Sequence, residues 1–298
     1  MTKLHELTAL GQSIWIDYIR RAFITSGEMK TLVEQGVRGV TSNPTIFEKA
    51  IAGSSDYDSE LKSLVDAGKS AGEIYEALAT EDIKLAADIF RPVYDESNGD
   101  DGYISLEVSP TLAHDTDGTI AEARRLFDLL ARPNIMIKVP ATSAGIPAIE
   151  TLIGDGINVN VTLMFSLKHY EDVANAYING LEKLAASGGD VSKVASVASF
   201  FVSRVDSAVD RALAEVGNTD LQGKIAIANC KATYARFQEL FSGERWEKLA
   251  AQGARVQRPL WASTSTKNPE YPDTLYVDNL IGPHTVNTTP PATLQALM

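Results

Sequence analysis

A single lysine in an apolar segment is the residue in this sequence with the clearest chemical potential. Lys138 lies in the run 134–140, among isoleucine, methionine and valine side chains. Burial lowers the pKa of a lysine side chain, because a low-dielectric environment disfavours the charged form. A neutral amine can attack a carbonyl carbon and form a Schiff base. An isolated lysine more often reaches solvent or pairs with a carboxylate, so the surrounding polar residues decide between the two interpretations.

The composition restricts the class of protein. The chain has 298 residues, is 44% hydrophobic and has a formal net charge of −12. So acidic a chain argues against nucleic-acid binding, which needs a basic face. No apolar run reaches the ~18 residues of a membrane span. The N-terminus lacks the layout of a secretory signal, and the single cysteine excludes an internal disulfide. We therefore expect a soluble cytoplasmic protein without nucleic-acid or membrane partners.

The histidines do not point to a metal site. His5, His114, His169 and His284 are far apart in the sequence, and no pair has the spacing of helical metal ligands. Residues 115–118 begin like a calcium loop but lack its third acidic position, so a turn before a helix is favoured. We expect no metal and no cofactor. An anionic metabolite can still bind to an acidic protein through a few local cations.

Short apolar strands alternate with amphipathic helices along the whole chain. Eight such strands in about 300 residues are typical of an α/β protein with a (β/α)₈ TIM-barrel fold. A doubly wound open sheet is the alternative, but it would often contain a Gly-x-Gly-x-x-Gly turn, which is absent from this sequence. We predict one barrel domain over residues 1–298. The predicted strands cover residues 13–18, 37–42, 102–108, 134–140, 157–164, 194–202, 255–263 and 274–281.

Two irregularities of the barrel are expected. The long segment 43–101 predicts extra helices after the second strand. The chain ends soon after the predicted eighth strand, whereas a complete barrel closes with a helix after its last strand. The last helix is therefore expected to be missing from this chain or supplied from elsewhere.

Successive side chains of a strand point to opposite faces of the sheet, so in a barrel they face the lumen and the helices in turn. In the fifth strand, Val159, Val161 and Leu163 share the face predicted to point outward. The opposite parity gives each of the first five strands an inward polar side chain near its carboxyl end, where barrel enzymes build their active sites. The residues assigned to this region are Asp17, Asn43, Glu107, Lys138, Asn160 and Thr162.

These side chains support class I aldolase chemistry. A lysine imine is an electron sink for cleavage of the adjacent C–C bond. Glu107 can shuttle the protons of carbinolamine dehydration through a water held by Thr162, and Asp17 can act as base on a substrate hydroxyl. Asn43 and Asn160 can hold sugar hydroxyls. Each residue alone has a structural alternative, such as a packed threonine or a loop-capping asparagine, but their convergence favours a catalytic lumen.

Seven segments resemble the transaldolase family, most closely its longer bacterial branch. The motifs Thr-Ser-Asn-Pro and Asn-x-Thr-Leu-x-Phe-Ser are specific, and they occur in the family's order. The resemblance implies a Schiff-base enzyme that transfers a dihydroxyacetone unit from a ketose phosphate to an aldose phosphate. The matching segments are residues 15–17, 39–47, 105–109, 135–141, 158–166, 198–206 and 261–267.

The resemblance also implies roles for individual residues. Lys138 matches the Schiff-base lysine, and Asp17 matches the acid/base on the substrate hydroxyl. Glu107 and Thr162 match the pair that positions the catalytic water. The residues that the resemblance assigns to substrate binding are Asn43, Asn160, Ser199, Phe201, Arg204, Ser263 and Lys267.

The residues assigned to the substrate phosphate are those at which the sequence departs most from the family's motifs. Arg204 is the expected phosphate ligand, because a guanidinium can bind phosphate through two hydrogen bonds. Without the resemblance, it would be interpreted as a surface residue paired with Asp206 or Asp210. The family's seventh-strand motif usually has a basic residue where this chain has Ser265, so the nearest cation, Lys267, is assigned to phosphate instead.

Three further expectations concern the whole protein. Relatives in this branch are longer, and some are fused to a sugar-phosphate isomerase. The resemblance therefore implies truncation from a longer chain or fusion to one as an alternative, and a monomer or a homodimer as the oligomeric state. Simple aldol cleavage, which releases free dihydroxyacetone, is a second function that the same residues can perform. An inactive barrel that only binds sugar phosphates is a third.

Overall fold

The computed structural model describes residues 2–298, and within them eight parallel strands form a closed barrel. Consecutive strands are hydrogen-bonded neighbours, and the last strand pairs with the first to close the ring. The predicted (β/α)₈ TIM-barrel fold is therefore confirmed. The strands are β1 (Gln12–Asp17), β2 (Gly39–Thr41), β3 (Ile104–Glu107), β4 (Ile135–Pro140), β5 (Val159–Met164), β6 (Ser196–Phe201), β7 (Arg258–Ala262) and β8 (Thr285–Thr289).

Helices surround the strands and connect them. Within residues 2–298, no helix combines the length and apolar character needed to cross a bilayer. The α-helices are α1 (Lys3–Ala9), α2 (Arg21–Thr25), α3 (Glu28–Gln35), α4 (Pro44–Ala52), α5 (Asp58–Asp66), α6 (Ala71–Glu96), α7 (Thr116–Leu130), α8 (Gly145–Gly154), α9 (Leu167–Ala186), α10 (Ser203–Glu215), α11 (Ile225–Leu240), α12 (Glu244–Ala250), α13 (Leu275–Asn279) and α14 (Pro291–Leu297).

The insertion after the second strand folds into α4, α5 and α6, as predicted. The long helix α6 begins at a capping box, in which the Ser70 hydroxyl and the Glu73 carboxylate satisfy each other's backbone N–H groups. Its buried Asp82 accepts a hydrogen bond from the Tyr57 hydroxyl at 2.6 Å and pairs with the Arg21 guanidinium. These contacts attach the extra helices to the barrel.

The lumen has its own apolar core beneath the polar residues. Trp15, Tyr103, Met136, Leu260 and Val286 pack together inside the barrel. The apolar residues of opposite parity pack in a separate, larger cluster with the helices. Because Met136 and Lys138 have the same parity in β4, the lysine lies above this inner core at the carboxyl end of the strand. The predicted inward orientation of Lys138 is confirmed.

The predicted eighth strand is wrong. Residues 275–279 form the short helix α13, and the strand β8 lies later, at Thr285–Thr289. The apolar run Leu275–Val277 resembles a strand, whereas β8 contains three threonines and only one apolar residue, Val286. Threonine favours a strand because its branched side chain fits a pleated surface, although it produces no hydrophobic pattern.

The expectation of a missing last helix is also wrong, for the same reason. Once the eighth strand is placed at Thr285–Thr289, the following residues form α14, which begins at Pro291 and ends at Leu297. Leu294 and Leu297 of this helix are buried in the outer core. The described chain therefore contains a helix after its last strand.

The predicted outward orientation of Leu163 is wrong as well. The pairing of β5 with β6 shifts between Val161 and Met164, and Leu163 has a left-handed backbone conformation with a φ of 66°. This bulge turns Leu163 against the lumen core, while Met164 is buried in the outer core. A bulge reverses the side-chain alternation beyond it, which a simple parity rule does not anticipate.

Candidate active site

A cavity of about 630 Å³ opens at the carboxyl end of the barrel. All but one of the residues predicted for the site line this cavity; the exception is Asn160. The predicted residues in the lining are Asp17, Asn43, Glu107, Lys138, Thr162, Ser199, Phe201, Arg204, Ser263 and Lys267.

Lys138 lies at the base of the cavity. Its Nζ is 3.2 Å from Oε2 of Glu107 and donates a hydrogen bond to the backbone oxygen of Ser42, also at 3.2 Å. Only 8% of the lysine surface is exposed. The strand register explains the contact, because Glu107 of β3 and Asn160 of β5 are the direct neighbours of Lys138 across the sheet. The amine is paired with a carboxylate and still faces the cavity.

Thr162 contributes a hydroxyl without a fixed partner. Its Oγ1 is buried and makes no hydrogen bond to any described residue. Since a buried hydroxyl is stabilised by a partner, this atom is suited to a water molecule or a polar substrate group. Thr162 lines the same cavity as Lys138 and Glu107, which fits the water-holding role predicted for it.

Asn160 lies beneath the cavity rather than in its lining. Its Nδ2 donates to the Ser105 hydroxyl at 3.0 Å, and its Oδ1 accepts from the Ser199 hydroxyl at 2.7 Å. The side chain is completely buried. Two fixed partners, Ser105 of β3 and Ser199 of β6, determine the orientation of the amide next to Lys138.

Asp17 belongs to a chain of hydroxyl groups that the sequence did not predict. The Thr41 hydroxyl donates to Oδ1 of Asp17 at 2.6 Å and lies 2.6 Å from the Thr288 hydroxyl. Thr41 is part of the Thr-Ser-Asn-Pro motif, which could have identified it. Thr288 lies in the strand that was predicted at the wrong place.

Asn43 combines a structural role with a position in the cavity wall. It is the N-cap of α4, and its Oδ1 accepts a hydrogen bond from the backbone N–H of Ile46 at 3.0 Å. The loop-capping alternative considered for Asn43 is therefore present. The same residue lines the cavity, so its amide nitrogen is available to a ligand.

Three cations line the outer part of the cavity. Arg204, in the first turn of α10, places its guanidinium 4.7 Å above the ring of Phe201. Lys267 follows β7, and its Nζ donates to the Ser265 hydroxyl at 2.7 Å. Lys49 of α4 is the third cation, and no sequence pattern marked it. In a chain with a net charge of −12, this grouping favours an anionic ligand.

The alternative pairing of Arg204 is not observed. Asp206 accepts hydrogen bonds from the backbone N–H of Ala226 and the hydroxyl of Tyr276. Asp210 is likewise engaged with other groups. Arg204 is exposed toward the cavity instead of being paired on the helix surface.

Tyr75 and Glu107 line a second cavity together. Burial, together with the negative charge of Glu107, raises the pKa of Tyr75 to about 12. Burial and the charge of Glu107 thus both disfavour a second negative charge on Tyr75. Among residues 2–298, no group of three or more His, Cys, Asp or Glu side chains is placed to hold a metal ion.

Comparison with known proteins identifies the family of the chain. The model of a family described as transaldolase/fructose-6-phosphate aldolase matches residues 14–298. The chain belongs to this family. Transaldolase 2 of Nostoc punctiforme is 52% identical, and the match covers 98% of this chain and 80% of the relative. The transaldolases of Trichodesmium erythraeum and Acidothermus cellulolyticus are also 52% identical, and each match covers 80% of the relative.

Family membership and identity at this level support a transferase of the transaldolase type. The resemblance inferred from seven short segments is confirmed over nearly the whole chain. Most of the cavity residues come from the segments that suggested the resemblance. The exceptions are Lys49, Pro110, Thr288 and Pro290.

Proposed function

We propose that this protein is a cytoplasmic transaldolase of the pentose phosphate pathway. The donor is sedoheptulose 7-phosphate or fructose 6-phosphate, and the acceptor is glyceraldehyde 3-phosphate or erythrose 4-phosphate. The observation that carries the proposal is the 3.2 Å contact between Lys138 and Glu107 in a cavity with cations at its outer part. A lysine, a proton-transfer group and an anion site are the parts that Schiff-base chemistry on a sugar phosphate requires.

The first step forms the imine. The neutral amine of Lys138 attacks C2 of the ketose, and the carbonyl oxygen becomes the hydroxyl of a carbinolamine. Glu107, acting through a water molecule at Thr162, transfers a proton to that hydroxyl, which leaves as water. The product is an iminium ion bound covalently to the lysine. The contact of Glu107 with the amine supports this role, because the acid must lie within one water of the departing oxygen.

The second step cleaves the C3–C4 bond. Asp17 takes the proton of the C4 hydroxyl, the C4 oxygen forms a carbonyl, and the electron pair of the C3–C4 bond moves into the iminium to give an enamine. The aldose phosphate leaves. The enamine carbon then attacks the aldehyde of the acceptor, whose oxygen receives the proton back from Asp17. Addition of water to the new iminium releases the product and restores Lys138.

The phosphate is assigned to the outer part of the cavity. Arg204 and Lys267 supply positive charge, and the Ser263 hydroxyl can donate a hydrogen bond. This leaves the carbonyl end of the sugar at Lys138 and its hydroxyls near Asp17 and Asn43. Binding the remote phosphate also holds the reacting carbon beside the amine.

Borohydride trapping tests the proposal. With fructose 6-phosphate and borohydride, we expect a reduced dihydroxyacetone adduct on the peptide that contains Lys138, detected by mass spectrometry. Lys138→Met should form no adduct. Lys193→Met removes an exposed lysine before β6 and should label like the wild type. Absence of an adduct on the wild-type peptide would contradict the mechanism.

Simple aldol cleavage of fructose 6-phosphate is a second candidate, because the matching family includes fructose-6-phosphate aldolases. It uses the same imine and enamine, but the enamine is protonated by water instead of reacting with an aldehyde. The two functions are separated by turnover of fructose 6-phosphate with and without erythrose 4-phosphate. A transferase needs the acceptor for sustained turnover, whereas an aldolase releases dihydroxyacetone without it.

A further inference from the structure

The wall of the cavity at the phosphate end is built from two separate segments. One is α10, which begins at Ser203 and contains Arg204 in its first turn. The other is the segment 263–274 between β7 and α13, which contains Ser263, Ser265 and Lys267. Cations from both segments face the same cavity, so the distance between the two segments determines how well they bind one phosphate together.

The inner end of the second segment is fixed at the barrel rim. The hydroxyls of Ser203 and Ser263 lie 2.9 Å apart, and the backbone N–H of Ser203 donates to the backbone carbonyl oxygen of Ser263 at 3.0 Å. Ser263 has a left-handed backbone conformation, with a φ of 58°, where the chain leaves the strand. Of these two residues, only Ser263 lines the cavity.

The outer end of the segment is fixed by a carboxylate of α10 that lies outside the cavity lining. Asp210 accepts a hydrogen bond at Oδ2 from the Tyr271 hydroxyl at 2.8 Å, and at Oδ1 from the backbone N–H of Gly223 at 3.0 Å. Tyr271 lies four residues beyond Lys267. The segment with the polar residues is therefore attached to α10 at both ends.

The packing around Tyr271 leaves little freedom for its ring. Gly223 has a φ of +69°, and a Cβ atom there would lie 2.9 Å from Cζ of Tyr271. Any side chain at position 223 would displace the ring, so the glycine allows the close approach that brings the hydroxyl to Asp210. A second tyrosine, Tyr276, donates to Asp206 at 2.9 Å, but both of these residues are buried and belong to the packing of α13.

We propose that Tyr271 and Asp210 are positioning residues for the substrate phosphate. Their hydrogen bond holds the segment 263–274 against α10, so that Lys267 and Ser265 face the same anion as Arg204. Neither Tyr271 nor Asp210 lines the cavity, so both act through the cations. The inference rests on the proposed function, in that the anion is the phosphate of a sugar phosphate.

Tyr271→Phe removes the hydroxyl and keeps the ring. We expect kcat/KM for fructose 6-phosphate to fall about five- to tenfold, mostly through KM, because a hydrogen bond to a charged group is lost. For unphosphorylated fructose, kcat/KM should not change, because the lysine end of the cavity is intact. The matched control is Tyr234→Phe, which removes a hydroxyl that donates to the Pro283 oxygen at 3.1 Å, next to the amino end of β8. It should leave both substrates unaffected.

A binding measurement separates this proposal from the proposed function. Calorimetric titration with inorganic phosphate should show weaker binding to Tyr271→Phe than to the wild type and to Tyr234→Phe. If the wild type does not turn over sugar phosphates but Tyr271→Phe still weakens phosphate binding, the proposed function fails and the positioning role stands. Equal losses for fructose and fructose 6-phosphate, or unchanged phosphate affinity, would overturn the positioning role.

Asp210→Asn tests whether the two residues act through one contact. In the Tyr271→Phe background, Asp210→Asn should add little to the loss in kcat/KM for fructose 6-phosphate, because the contact is already broken. Two losses that multiply would show independent effects and would overturn the pairing.

Discussion

The two ends of the barrel contain similar polar side chains in different arrangements. At the amino end, the buried carboxylate of Asp101 accepts hydrogen bonds from the Ser13 hydroxyl and, at 2.9 Å, from the Trp15 indole. It also lies 3.4 Å from the Arg258 guanidinium, which donates further to Ser13 at 2.7 Å. Ser13, Trp15, Asp101 and Arg258 are therefore held by hydrogen bonds within the cluster, although Ser13, Asp101 and Arg258 also line a separate cavity of about 410 Å³.

At the carboxyl end, the polar side chains are only partly satisfied by one another. Glu107 and Lys138 are paired, but both also face a cavity. The Thr162 hydroxyl has no partner among the described residues. The comparison teaches that polar groups stabilise a barrel where they are hydrogen-bonded to one another, and can bind a ligand where a lysine and an unpartnered hydroxyl face the same cavity.

Lys138→Met should have the largest effect on activity. Removing the nucleophile should lower transfer from fructose 6-phosphate by about 10³-fold or more, because the other lysines of the cavity, Lys49 and Lys267, lie at its outer part. The midpoint of thermal unfolding should change little, since the position faces a cavity. Retention of more than a tenth of the wild-type rate would contradict the assignment of Lys138.

Asp17→Asn should separate imine formation from bond cleavage. We expect kcat for transfer to fall by about 10²- to 10⁴-fold, because the C4 hydroxyl loses its base. Borohydride should still label Lys138 in this variant, since imine formation does not use Asp17. Loss of labelling together with loss of turnover would assign Asp17 to the first step instead.

Asp101→Ala tests the amino end of the barrel, as Lys138→Met and Asp17→Asn test the carboxyl end. It removes the shared acceptor of Trp15, Ser13 and Arg258, so the free energy of unfolding should fall by about 3–5 kcal/mol in a denaturant titration. At a temperature where the variant is folded, kcat and KM should match the wild type. A specific loss of kcat in the folded variant would show that the two ends are coupled.

Two threonines of β8 allow the two ends of the barrel to be compared within a single strand. Thr288→Val removes the hydroxyl beside Thr41 and should lower kcat by about three- to tenfold, with little change in unfolding. Thr285→Val, at the amino end of the same strand, removes an acceptor of the Gln12 amide and should cost about 1 kcal/mol of stability without affecting kcat. Reversed effects would refute the distinction between the ends.

The sequence was most informative where the backbone repeats regularly. Alternation placed Glu107 and Lys138 on the lumen face, and parallel pairing makes them direct neighbours. The same alternation places Trp15 and Asp17 on the lumen face, because β1 is regular up to its end. In these strands, the two-residue period of the side chains and the position of the carboxyl end were sufficient to predict which residues form the centre of the site.

The remaining features depend on irregular backbone or on contacts between distant segments. Leu163 turns inward because of a single left-handed residue, and β8 is polar because its threonines serve hydrogen bonds rather than an apolar layer. The backbone oxygen of Ser42 that accepts from Lys138 belongs to no side-chain pattern. Such features follow from the closed barrel as a whole and have no local signature.

The hydroxyl chain at Asp17 has a consequence for synthesis of the protein on the ribosome. Thr41 and Thr288 are 247 positions apart, and their contact joins the second strand of the barrel to its last strand. A nascent chain can pair its early strands as they emerge, but the environment of Asp17 is complete only after β8 has left the exit tunnel and closed the ring. Transfer activity should therefore arise late and in one step, rather than growing with the length of the translated chain.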